Sequence, residues 1–154
     1  LKGKIKINNK MSKFFIKKYY EPKIQIKLIN NLKKFANTSI DISDGLIDDL
    51  KKMINRQNFS FIIFEEKIPI SKTLSQLIKY KKFKKIDITS KGDDYQILFT
   101  ASPSKSRIIK KVSKKTGIKI TKIGKIISGK NKSKFINLKN KQIEAKNRGY
   151  IHQF

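Results

Sequence analysis

Apolar residues fall in short periodic runs between lysine-rich stretches, and the period changes along the chain. Residues 12–20 and 23–36 read as helices. Pro22 between them biases Glu21 away from helical geometry. In the second run Ile26, Ile29, Leu32, Lys33 and Phe35 form a mostly apolar stripe. Thr38 to Ile42 is a short β-prone run, followed at once by Ser43-Asp44-Gly45. Leu46, Ile47, Leu50, Met53 and Ile54 then recur at helical spacing. Ser43 or Asp44 suits an N-cap and acidic residues fill the first turns, so a strand, a tight turn and a helix start are predicted.

Residues 59–65 are almost continuously apolar, which predicts a central strand. A helix is predicted over 71–80, after Pro69. A second buried strand is predicted over 95–101, introduced by Gly92-Asp93-Asp94. Ser102-Pro103-Ser104 opens a helix expected to run to about Lys115 and to stop at Gly117. Residues 118–127 alternate with period two apart from Gly124, a further strand. Beyond Ser128-Gly129-Lys130, residues 135–138 and 142–145 suggest a terminal hairpin. The fold class expected is α+β: a mixed β-sheet flanked by helices in α/β/α layers, within one compact domain.

Composition changes this picture at three points. The net charge of +27 would suit nucleic acid or an anionic membrane surface. Yet arginine, the residue of bidentate and stacked nucleic-acid contacts, occurs only at Arg56, Arg107 and Arg148. Lysine is spread over nearly the whole chain beside abundant Ile and Asn, a set that shares A/T-rich codons, so genome composition is the simpler cause. No nucleic-acid partner is therefore expected. The 11 acidic residues become the informative minority, and Asp41, Asp44, Asp48 and Asp49 fall within nine positions. The absence of cysteine excludes disulfides, thiol nucleophiles and thiolate metal sites. No apolar run approaches the roughly 20 residues of a membrane span, and a cytoplasmic protein without a membrane partner is expected. The chain opens on Leu1 rather than Met, so a piece of a longer protein is expected as well.

Three constellations could carry chemistry. In Ile40-Asp41-Ile42-Ser43-Asp44-Gly45-Leu46, two carboxylates sit three residues apart across a strand-to-helix turn. Carboxylates so placed can converge on a hard cation. The helix start offers amides and a positive dipole end to a phosphate. Ser43 adds a hydroxyl, and Gly45 permits close approach to the backbone. The plain alternative is capping by Ser43 and Asp44, with Asp48 and Asp49 as solvated helix surface. In Ser90-Lys91-Gly92-Asp93-Asp94-Tyr95, a turn before a buried strand could present Asp93 to a ligand, or be a turn and nothing more. In Gly149-Tyr150-Ile151-His152, Tyr150 could stack on a heterocycle or simply pack; the lone His152 is not proposed as a base. No phosphate-binding glycine motif and no nucleophile triad is present, and no catalytic side chain is nominated.

The order and spacing of these blocks, IDISDGL, then GDDYQILFT, then KIGKIISG, then G-Y-x-H, resembles the C-terminal half of the thiamine-monophosphate kinase family. The upstream YYEPKIQIKL is similar to that family's entry into this half. The family belongs to the superfamily of aminoimidazole ribonucleotide synthetase and selenophosphate synthetase. The resemblance implies the layered fold of that superfamily's C-terminal domain over 23–154, with 1–22 as a helical entry from a missing N-terminal domain. It implies an ATP-dependent phosphotransferase that moves the γ-phosphoryl group of ATP to thiamine monophosphate, yielding thiamine diphosphate. Mg²⁺ is the implied cofactor, and the intact enzyme is implied to be a homodimer. Residue by residue, it assigns Asp41 and Asp44 to Mg²⁺, Ser43 to ATP, and Asp93 and Tyr150 to thiamine monophosphate. Lys91 and Gln96 depart from the family's glycine and glutamate, and the tail carries one residue more before Phe154. Two alternatives stay open: a sister enzyme of the superfamily with another acceptor, and, further behind, a basic nucleic-acid-binding module.

Overall fold

The computed structural model describes residues 6–54, 57–129 and 133–143. Helix α1 spans Asn9–Tyr20, three residues earlier than its apolar pattern suggests. The cause is a cap: the Asn8 side chain accepts from the Met11 amide at 2.9 Å. Helix α2 covers Ile26–Leu32, half the length read from the sequence. Strand β1 (Thr38–Asp41) leads into helix α3 (Leu46–Met53). Strand β2 is Phe59–Phe64, followed by helix α4 (Lys72–Lys81). Helix α5 (Lys85–Thr89) had no counterpart in the sequence reading. Strand β3 (Ile97–Thr100), helix α6 (Ser106–Thr116), and strands β4 (Gly124–Ser128), β5 (Lys134–Ile136) and β6 (Gln142–Ile143) complete the order.

The mixed strands and flanking helices are those expected, but the strands divide between two sheets. One is a four-stranded mixed sheet in the order β4-β2-β5-β6. In it β2 is antiparallel to β4 and parallel to β5, so β2 is hydrogen-bonded on both edges, as its apolar run predicts. The terminal hairpin is present as antiparallel β5 and β6. The other sheet is an antiparallel ribbon of β1 and β3, in register from Thr38 opposite Thr100 to Asp41 opposite Ile97.

The ribbon lies between two apolar clusters. Leu46, Leu50 and Met53 of α3 pack with Phe61 and Ile63 of β2, Ile86 of α5, Leu98 and Phe135. The second cluster joins Leu28, Phe35 and Val112, with Leu32, Ile97, Phe99 and Ile109 against it. Alternation along β3 sends Leu98 to the first cluster and Ile97 and Phe99 to the second. The ribbon is thus gripped from both faces, and its Asp41/Ile97 end is held in place.

The strand expected over 118–127 is realised only from Gly124. Before it, the chain is diverted to α6: the Ser113 hydroxyl donates to the Ile118 carbonyl at 2.7 Å, and Ile118 and Ile120 pack in the second cluster. Helix α5 starts where the Glu65 carboxylate accepts from the Ile86 amide at 3.0 Å, an acceptor from a distant part of the chain.

Phe61 is 1% exposed and meets Phe135 edge-on, with centroids 5.5 Å apart. Phe61→Ala is expected to lower unfolding free energy by about 3–5 kcal/mol, read from the urea midpoint at an unchanged slope.

Candidate functional site

The site forms at the Asp41/Ile97 end of the ribbon, where the chain leaves β1 for α3 and enters β3 from α5. Beyond the last strand pair, the Ile42 amide donates to the Gln96 carbonyl, and the Tyr95 amide to the Ile42 carbonyl, both at 2.9 Å. One residue further on, the Asp93 amide donates to the Ser43 carbonyl, also at 2.9 Å. The loop carrying Asp41, Ser43 and Asp44 and the loop carrying Asp93 are therefore in direct backbone contact.

Two glycines make that approach possible. Gly45 has φ +118°, and a Cβ there would lie 2.3 Å from the Ser90 carbonyl oxygen. A Cβ on Gly92 would lie 1.9 Å from the Ser43 carbonyl oxygen. Both obstacles are backbone atoms, so neither loop can yield without separating from the other. Asp93 and Tyr95 themselves take positive φ, 66° and 50°, conformations held by the surrounding hydrogen bonds.

Neither Ser43 nor Asp44 caps α3, contrary to the plain reading of the turn. The N-cap position is Gly45, and no side chain caps the helix from there. The acceptor is Asp49, four residues inside the turn. One of its oxygens accepts from the amides of Ser43, Asp44 and Gly45 at 2.9, 3.0 and 3.1 Å. Asp49 is fully buried, not solvated surface as expected. Its other oxygen accepts from the Lys52 ammonium at 3.1 Å, and the same ammonium pairs with Asp44. Hydrogen bonds to Asp44 and then to Asp49 raise the Lys52 pKa. The amides of the turn that precede the helix are thus engaged by a carboxylate.

Asp41 is exposed at the end of β1, and Asp44 is half-buried. On the second loop, the Tyr95 hydroxyl donates to Asp93 at 3.3 Å. The Asp93 charge is the main cause of a raised Tyr95 pKa, with smaller contributions from Tyr19 at the end of α1 and from Asp41. Crowding by protein atoms, then the neighbouring Asp93, raises the Asp94 pKa. Among the described residues, no group of three or more His, Cys, Asp or Glu side chains is placed to hold a metal ion by itself. The donors present are carboxylates, suited to a hard cation that takes its remaining oxygens from water and phosphate.

Residues 18–137 match the family model for the C-terminal domain of AIR synthase related proteins. The chain belongs to this family. Among curated relatives, the thiamine-monophosphate kinase of Buchnera aphidicola subsp. Schizaphis graminum is 35% identical over 147 residues, 94% of this chain and 44% of the relative. That of Aquifex aeolicus is 36% identical over 86 residues, 55% of this chain and 28% of the relative. The chain spans less than half the length of these relatives. Among solved structures, thiamine-monophosphate kinase from Stenotrophomonas maltophilia superposes with a TM-score of 0.71 at 24% identity, over 84% of this chain and 40% of that one. A structure described as AaThiL complexed with AMPPCP and TMP gives 0.73 at 24% identity, over 97% and 44%. At such identities the likeness establishes the AIR synthase related fold. No helix among the described residues is long and apolar enough to cross a membrane.

Of the residues singled out in the sequence, Asp41, Ser43, Asp44 and Asp93 are brought to one end of the ribbon; Tyr150 lies outside the described residues. The sequence reading missed Asp49, Lys52 and Tyr95. Asp49 had a signal: it lies three residues after Leu46 and four before Met53, on the apolar stripe of α3, where a charged residue must be satisfied inside the protein.

Gly92→Ala is expected to destabilise by about 3 kcal/mol, since it drives a methyl into fixed backbone; faster hydrogen exchange of the Asp93 amide would accompany the lower urea midpoint. Asp94 is a carboxyl whose folded pKa is raised. Its stabilising contribution is present below the unfolded value of 3.8 and is lost as pH rises through the folded one. Asp94→Asn is therefore expected to raise Tm by about 1 °C near neutral pH, a small effect because the residue keeps solvent access, and by nothing below about pH 3.

Proposed function

We propose that the chain is the C-terminal half of a thiamine-monophosphate kinase, with residues 1–22 as the entry from an N-terminal portion like that of its longer relatives. The observation that carries this reading is the apposition of the two loops. The residues matched to metal and nucleotide, Asp41, Ser43 and Asp44, adjoin the residue matched to the acceptor, Asp93, through the bond from the Asp93 amide to the Ser43 carbonyl. Relatives named for this kinase, and a related fold described with AMPPCP and TMP, support the same assignment.

In this reading Asp41 and Asp44 hold Mg²⁺, whose chemistry is to neutralise phosphate charge. Ser43 orients the nucleotide. Asp93, held by Tyr95, orients the acceptor, with Tyr150 as an aromatic contact to its heterocycle. The acceptor's own phosphate oxygen attacks the γ-phosphorus of ATP as the bond from that phosphorus to the β–γ bridging oxygen breaks and ADP leaves, so no protein nucleophile is needed, and the chain's part is alignment. An intact enzyme in the cytoplasm, working as a homodimer, completes the proposal.

The test joins this chain to the N-terminal portion of the Buchnera relative and follows ATP-dependent formation of thiamine diphosphate by fluorescence after oxidation. Asp44→Asn is expected to lower kcat/KM by about 100-fold or more, comparable to loss of a major electrostatic contact in the transition state. An unchanged rate in Asp44→Asn would remove the metal role. Turnover with other phosphate acceptors, but none with thiamine monophosphate, would move the chain to a sister enzyme of the same fold.

A further inference from the structure

Among the described residues, Lys52 is a cation built into this site. Lys52 lies on α3, its ammonium bonded on one side to Asp44 Oδ2 and on the other, at 3.1 Å, to Asp49 Oδ1. Asp49 is anchored, because its second oxygen takes the amides of Ser43, Asp44 and Gly45. Lys52 is therefore tethered to a carboxylate that cannot shift without undoing the turn, and it reaches from there to one that is half-buried beside the second loop. Its neighbour Lys51 pairs instead with Asp48, at 3.2 Å.

We propose that Lys52 is a positioning residue that holds Asp44 as its counter-ion until a divalent cation arrives, and that cation binding at Asp44 requires Lys52 to let go. The inference rests on the reading of Asp44 as a metal ligand given above. The physical reason is that a divalent ion on a carboxylate oxygen sits about 2.1 Å away. An ammonium on that same oxygen would be left within a few ångströms of two positive charges, and the repulsion expels it. Release is feasible, since the Lys52 side chain is 50% exposed on a flexible stem. Lys52 thereby keeps the carboxylate oriented and sets a threshold for the cation.

The experiment titrates the full chain with Mn²⁺ in the presence of a non-hydrolysable ATP analogue and reads free Mn²⁺ by electron paramagnetic resonance. Wild type is compared with Lys52→Met, Lys52→Arg, Lys51→Met and Asp44→Asn. Lys51→Met removes the same charge from the same helix without touching Asp44. Lys52→Met is expected to bind Mn²⁺ about three- to fivefold more tightly than Lys51→Met, the upper part of the scale of a partly exposed ion pair. Lys52→Arg should stay within about twofold of wild type. Equal affinity in Lys52→Met and Lys51→Met, or weaker binding in Lys52→Met, overturns the inference while leaving the metal role of Asp44 intact. Wild-type binding no tighter than that of Asp44→Asn overturns the metal role, and the inference with it. Thermal unfolding of each variant separates loss of fold from loss of competition; should Lys52→Met unfold, Lys52→Gln serves with the same criteria.

Discussion

The site depends on one buried carboxylate. Asp49 gives a single oxygen to three successive amides, those of Ser43, Asp44 and Gly45. Left without an acceptor, the buried Gly45 donor would cost about 1–3 kcal/mol, and the part-buried amides of Ser43 and Asp44 somewhat less. That sum is a large part of the stability of an ordinary domain. The turn between β1 and α3 is therefore a fixed structure, and its shape is set from inside the helix that follows it. Burying Asp49 is tolerable because Lys52 satisfies its other oxygen and supplies the opposite charge.

A rigid turn becomes a rigid site only because the second loop is locked against it. Gly45 lies against Ser90 and Gly92 against Ser43, so each loop contributes the glycine that the other's backbone requires. The β1–β3 ribbon supplies the register: with Asp41 opposite Ile97, the bonds from Ile42 and Ser43 fall on Gln96, Tyr95 and Asp93 in turn. Two apolar clusters on opposite faces of the ribbon keep that register from slipping, since a shift by one residue would exchange Leu98 with Ile97 or Phe99 between them.

What the sequence made legible follows from how local each cause is. The strand, turn and helix around Ser43-Asp44-Gly45, the doubly paired strand β2 and the helix ending at Gly117 are each announced by their own residues. Helix α5 was not, because its first turn is capped by Glu65 from another segment. The division into two sheets was not either: the alternating stretch before Gly124 is drawn onto α6 by Ser113, and periodicity cannot register such a competitor. The sequence named Asp41, Ser43, Asp44 and Asp93, which the fold brings to one end of the ribbon, but not the residues that support them. Asp49 and Lys52 resemble ordinary charged helix residues until the helix face they occupy is known.

The charge of the chain takes on a different meaning at this scale. Lysines over the surface create a diffuse positive field that attracts phosphate-rich molecules but is screened beyond roughly 8 Å at physiological salt. Such a field discriminates poorly and cannot hold a cation. The ribbon end reverses the local sign: Asp41, Asp44, Asp48, Asp49, Asp93 and Asp94, more than half of the 11 acidic residues, lie on the two touching loops or on the strand and helix that flank the first of them. Lys51 and Lys52 offset part of that charge in place. The outcome is a small acidic centre in a basic surround, with the loops' own geometry deciding which carboxylates remain available. Under the proposed function both parts have a use, the surround for anionic oxygens and the centre for a divalent cation. A uniformly basic surface would answer only the first.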